Sequence, residues 1–174
     1  MGWKDILKAE MESAYKSAEG LIELVDEDRL SWKPSSGSNW MTTAQLLRHI
    51  SDACGAPCRS FATGDWGLPP GTDLSTLKPE EMLPPAEKLP AVGTVSEARK
   101  LLAADRRTAL ETLDRVSEEE LRTKPAPAPW DPTPTVLGHR VLQMVQHLAS
   151  HKQLLFHYLK LQGKPVNTGH LWGM

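Results

Sequence analysis

Little in this chain points toward a nucleic acid, a membrane or a disulfide framework. It has 20 basic against 22 acidic residues, a net charge of −2, and no run of Lys or Arg. That excludes the electrostatic footprint of a protein that grips nucleic acid or anionic lipid. No apolar stretch is long enough to span a bilayer, so no membrane partner is expected. The N-terminal "MGWKDILKAEM" is amphipathic and carries both signs of charge, unlike a signal peptide, and a cytoplasmic location is expected. Only two cysteines occur, Cys54 and Cys58 in "CGAPC", with three residues between them where a redox pair usually has two. They read as small buried side chains and are expected to be free thiols, because two residues one helical turn apart do not converge well enough for a bridge. No segment alternates apolar and polar residues as a strand would, and no internal repeat is present.

What the chain does have is helical periodicity. Its 174 residues suffice for one domain with a sizeable core, and 40% hydrophobic with 24% charged residues is ordinary globular composition. Four segments repeat apolar residues at spacings of three and four. The first runs from Trp3 to about Val25, with Leu7, Met11, Ala14, Ala18 and Leu21 as its seam. The second starts at Thr42 or Thr43, either of which can cap it, and carries Leu46, Leu47, Ile50, Ala53, Cys54 and Phe61. Pro57 is expected to kink or end it. The third spans Thr94 to Val116, capped by Thr94 or Ser96, with Asp105 interrupting an otherwise apolar face. The fourth starts near Thr133–Pro134 and continues to Gln162, where Gly163 and Pro165 stop it.

About thirty Pro- and Gly-rich residues, 64–93, separate the second and third helices. A connection that long can cross the bundle and let the next helix run parallel to the previous one. The expectation is an all-α four-helix bundle, up-down-down-up, with a long crossover between helices two and three. The bundle occupies 1–163, and the tail 164–174 packs on it.

Histidine is concentrated in "VQHLASHKQLLFHYLKLQG". On the fourth helix His139, Gln143, Gln146, Ser150, Gln153, His157 and Lys160 follow spacings of four and three, which defines one solvated stripe and assigns His139 and His157 to water. His170, in the tail, has no partner in sequence. His147 and His151 lie off the stripe. Four residues apart, they are separated by about 40° and about 6 Å of rise, so both imidazoles can address one point. The spacing alone leaves two readings open: a pair sharing a metal, or a buried pair whose ring nitrogens find hydrogen-bond partners. His49 in "TTAQLLRHISDA" offers a third ligand, if helices two and four are neighbours. Three imidazoles would leave open coordination positions, as in a reactive centre. Imidazole suits zinc, nickel, copper and iron alike.

"LSWKPSSGSNWMTTAQLLRHI", the long variable connection, the third helix and "VQHLASHKQLLFHYLKLQG" together resemble the DinB/YfiT-like superfamily of four-helix-bundle metalloenzymes. The resemblance covers most of the chain. It rests on a His closing an "LLxHI"-like motif in helix two and an H-x3-H pair in helix four, with Gln153 matching only the trailing residue of that motif. It implies the bundle, and one divalent ion (Zn, Ni or Fe) held by His49, His147 and His151. Members of known activity are transferases or isomerases that use a low-molecular-weight thiol such as bacillithiol, mycothiol or glutathione. The expected function is therefore addition of such a thiol to a small electrophilic substrate. A metal-dependent hydrolase and a non-catalytic metal- or ligand-binding stress protein are the alternatives.

Other residues carry weaker signals. Trp32, Trp40 and Trp66 flank helix two and Trp130 precedes helix four, where they pack at helix ends or wall a pocket mouth. Asp105 and Glu10 could accept an N–H from a liganding histidine or reach water. Arg48 and Arg140 could bind a substrate carboxylate or be solvated. The tail "HLWGM" and exposed aromatics suggest an apolar patch and a homodimer.

Overall fold

A computed structural model describes residues 2–69, 72, 83–131 and 133–174. Among them are seven α-helices: α1 (Trp3–Ile22), α2 (Thr43–Ile50), α3 (Gly55–Thr63), α4 (Val95–Arg115), α5 (Glu118–Thr123), α6 (Leu137–Leu161) and α7 (Thr168–Trp172). The long ones are α1, α4 and α6; α2 and α3 together stand where one helix was expected. Among the described residues no strand forms, only two isolated bridges, Pro125 to Val136 and Ala128 to Asp131.

The helix starts follow local chemistry. Thr42 accepts from the Gln45 amide while Gln45 bonds back to the Thr42 amide, a reciprocal cap at the head of α2. The Thr94 hydroxyl accepts from the Glu97 amide at the head of α4. Gly163, with φ of 83°, ends α6 in the left-handed conformation that glycine adopts at little cost.

Two boundaries differ from the periodicity. The second helix breaks at 51–54, ahead of Pro57, which sits third in α3 where its missing N–H costs nothing. Asp105 of α4 causes the break: its carboxylate accepts from the amides of Gly55 (2.8 Å) and Ala56 (2.9 Å), creating a second helix start. The fourth helix begins at Leu137 rather than at Thr133. Arg140 holds the carbonyls of Asp131 and Thr133 at 3.0 and 3.1 Å, which keeps that segment out of the helical ladder.

Cross-helix contacts fix the directions. Tyr15 meets Asp105 and Arg99 meets Glu23, so α1 and α4 are antiparallel. Gln162 meets Thr43, while His49 further along meets His151 and His147, so α2 and α6 are antiparallel. Ser51 bonds to the Ala98 carbonyl and Gly55 to Asp105, so α2–α3 runs parallel to α4. The order is up-down-down-up. Leu7, Met11, Leu21, Leu46, Leu47, Ile50, Leu148, Leu155 and Leu159 are among the fully buried side chains between these helices. Each such Leu or Ile contributes about 1.5–3 kcal/mol by burial.

Of the 64–93 connection, residues 70–71 and 73–82 lie outside the described residues; in the rest, one 3-10 turn (Ala86–Lys88) forms. Gln45 Nε2 donates to the carbonyls of Glu87 and Leu89 and ties the end of this connection to α2. In the tail, α7 lies against α1, and buried Lys152 of α6 donates to the Leu171 carbonyl at 2.9 Å. No helix among the described residues is long and apolar enough to cross a membrane.

Candidate metal centre

His49 lies in the last turn of α2, and His147 and His151 lie one turn apart in the middle of α6. The antiparallel pairing of these helices brings the three together. His49 Nε2 is 3.1 Å from His147 Nε2 and 3.1 Å from His151 Nε2, and all three candidate ligand atoms lie within 4.8 Å of one another. Three nitrogens around one tetrahedral ion, each at the 2.0–2.1 Å bond length typical of zinc, would be roughly 3.4 Å apart. The spacing fits an ion with little movement.

Protonation supports the same reading. His147 Nδ1 is 3.0 Å from the Ala53 carbonyl, which can only accept, so Nδ1 carries the proton and Nε2 presents its lone pair. One proton on His49 Nε2 cannot lie along both of its 3.1 Å contacts at once. With Nε2 unprotonated on His49 and His151 as well, three lone pairs would converge on one point, the donor set of neutral imidazole that divalent transition metals take. If His147 holds a metal, the Ala53 carbonyl would be the outer hydrogen-bond partner that fixes the ring's orientation.

Burial keeps the rings neutral. His49 is lowered to about 4, by burial and then by His147. His151 is lowered to about 3, by burial and then by His49 and His147. Burial also lowers His147, against the raising effect of its bond to Ala53. His139 and His157 are solvent-exposed on the polar stripe, away from this cluster. His170 bonds locally to Asn167 in the tail.

The imidazoles open onto a cavity of about 590 Å³. Its wall is mostly apolar: Met41, Pro57, Leu83, Leu89, Trp130 and Met144. Polar groups enter from one side, where Arg140, Asp131 and Gln143 meet. Arg140 is neither solvated nor free for a substrate carboxylate. It is 2% exposed, and its five N–H groups reach the Ala126 carbonyl, Asp131 Oδ2, Gln143 Oε1 and the carbonyls of Asp131 and Thr133. Arg48 is paired with Asp52 at 2.8 Å.

Gln143 departs from the expected stripe: its neighbours on that stripe are exposed, whereas it is half-buried and faces the cavity. Asp105 neither touches a histidine nor reaches water. Buried, it accepts from Tyr15 Oη at 2.6 Å and from the α3 amides, and so holds the turn that presents the Ala53 carbonyl to His147. Glu10 is exposed. Cys54 and Cys58 are both free and buried, with Sγ atoms 3.9 Å apart. The Cys54 contact and burial push the Cys58 thiol well up, so it is inert. Trp66 and Trp130 pack edge-on with Phe61, and Trp32 and Trp40 pack edge-on against Tyr158. Of these tryptophans, Trp130 also lines the cavity.

Ala53 and Gln143 are the contributors that pattern reading missed. A backbone carbonyl leaves no mark in a sequence, and Gln143 obeys the stripe periodicity although its bond to buried Arg140 holds it at the cavity.

A family model described as the DinB superfamily matches residues 10–155, a span that contains all three histidines. No curated protein and no solved structure matches the chain.

Proposed function

This chain belongs to the DinB superfamily, and on that footing we propose that it is a metal-dependent thiol S-transferase, with one divalent ion held by His49, His147 and His151. The observation that carries the reading is that one ring nitrogen from each of three histidines lies within 4.8 Å of the others at the wall of an open cavity. When bound, a divalent ion supplies Lewis acidity, lowering the pKa of a thiol or a water that reaches it.

The chain's own groups do the rest. Burial keeps His49 and His151 unprotonated at neutral pH, so no proton has to leave before an ion enters. The Ala53 carbonyl holds His147 in the tautomer whose Nε2 faces the centre. Met41, Leu89, Trp130 and Met144 make a wall that disfavours water beside the reacting groups. That favours transfer to a thiol over hydrolysis with the same ligands.

The test loads the purified protein with zinc, nickel or iron(II) in turn. Each form is assayed with monobromobimane as electrophile and with glutathione, mycothiol or bacillithiol. The expected result is a rate above the uncatalysed one for at least one metal–thiol pair, lost in His49→Ala. No thiol-dependent rate for any pair contradicts the transferase reading, and thiol-independent hydrolysis of ester substrates would favour the hydrolase.

A further inference from the structure

We propose that Gln143 is a substrate-positioning residue, and that the substrate is a neutral molecule with an apolar body and a hydrogen-bond-accepting oxygen held by Gln143 Nε2. This deepens the functional reading above and rests on its assignment of the cavity as the substrate site.

The orientation of the Gln143 amide is decided by its neighbour. Arg140 Nη1 lies 3.0 Å from one end of the amide, and a guanidinium has donors only, so the atom facing it is Oε1. Arg140 cannot turn away, because its other four N–H groups are bound to the Ala126 carbonyl and to Asp131 and Thr133. Nε2 is thereby fixed on the other side. Among the described residues it has no hydrogen-bond partner, although Gln143 lines the cavity. Gln143, His147 and His151 recur every four residues on α6. Gln143 therefore stands one turn, about 6 Å along the helix axis, before His147 and on nearly the same face. A ligand touching both is within the reach of an ordinary small molecule.

The rest of the cavity sets the ligand's class. Met41, Leu83, Pro84, Leu89, Trp130 and Met144 offer apolar contact, and a volume of about 590 Å³ is that of a small-molecule site. The one cation among the described lining residues, Arg140, is neutralised by Asp131 at 2.9 Å and has all five donors occupied. Among the described lining residues a carboxylate or phosphate finds no free cationic side chain to offset its desolvation, whereas a neutral carbonyl or ether oxygen needs only the Gln143 N–H. Burying that N–H beneath an apolar ligand without an acceptor would leave it unsatisfied, so the site discriminates between the two.

The experiment uses metal-free protein and two probes of matched shape, propiophenone and propylbenzene, with dissociation constants read from tryptophan fluorescence. Gln143→Glu keeps an oxygen for Arg140 and replaces the Nε2 donor by an acceptor. The expected result is that the preference for the ketone, expressed as the ratio of the two constants, falls about fivefold to tenfold in the variant, the loss of one hydrogen bond. Gln143→Met, which removes both amide atoms at similar length, is expected to lower the same ratio and decides the matter if the Glu variant does not fold by circular dichroism. An unchanged ratio in the folded variants, or no binding of either probe to wild type at millimolar concentration, overturns the proposal. Zinc stoichiometry is measured on zinc-loaded aliquots of the same preparations and is expected to be unchanged by Gln143→Glu. A ketone preference lost in the variant, in a wild-type protein that takes up no zinc, would support Gln143 while removing the metal reading. An unchanged ratio with zinc bound would do the reverse.

Discussion

Burial decides what His49 and His151 can do before any ligand arrives. An exposed imidazole titrates near 6.5, whereas burial lowers these two to about 4 and about 3. Between those values and 6.5 the unfolded chain binds protons that the folded chain refuses. The stability these groups contribute is therefore full above pH 6.5 and lost as pH falls toward about 4 and 3. Asp52 works in the opposite direction, since burial pushes it up to about 6 despite its pairing with Arg48. The comparison that isolates the histidines is thus a variant measured at the same pH values. The urea midpoint of metal-free protein should drop between pH 7.5 and pH 5, and drop less in His151→Ala; equal drops would contradict the assignment. The histidines themselves were legible, because H-x3-H and a third His on a neighbouring helix are patterns of side-chain type. The second reading left open by spacing, a hydrogen-bonded pair, also holds in part, since His147 has the Ala53 carbonyl as partner. Arg140 was not legible. Its fate depends on a loop that folds over it, and a single charged residue on a helix gives no sign of that.

Among the elements, the joint between α2 and α3 matters most to the site. Asp105 reaches it from α4 and holds its amides, and the Ala53 carbonyl next to them orients His147. The packing is close: a Cβ on Gly55 would collide with the Asp105 carbonyl, so only glycine fits there. Removing the carboxylate strands Tyr15 Oη and the amides of Gly55 and Ala56 without an acceptor. Asp105→Ala should therefore cost about 3 kcal/mol in urea unfolding. It should also weaken zinc binding about tenfold by freeing the turn that carries Ala53. Full zinc affinity in a destabilised variant would confine Asp105 to a purely structural role. Caps such as Thr42 and Thr94 were readable because they act within four residues. The break between α2 and α3 was not, because it is imposed by a side chain some fifty residues away. Asp105 showed only as an interruption in an apolar face.

For the whole molecule, the length of the 64–93 connection was enough to anticipate a crossover, and with it the parallel course of α2–α3 and α4. That topology leaves α2 beside α6 and so makes a centre shared between them geometrically available. The short helices α5 and α7 carried too few periodic residues to be read. Glu118 of α5 nonetheless accepts from the amides of Trp3 and Lys4 and closes the start of α1. At the opposite extreme, Trp172 and Met174 of the tail are 63% and 88% exposed.

The central claim is that the fold exists to bring three imidazoles to one ion. The most direct measurement of it is metal content per chain, after loading with zinc and removal of excess, in wild type and five single alanine variants. The account predicts one ion per chain in wild type, His139→Ala and His157→Ala, and loss of stoichiometric metal in His49→Ala, His147→Ala and His151→Ala. Full occupancy in all five variants, or no zinc retained by the wild type, would contradict it.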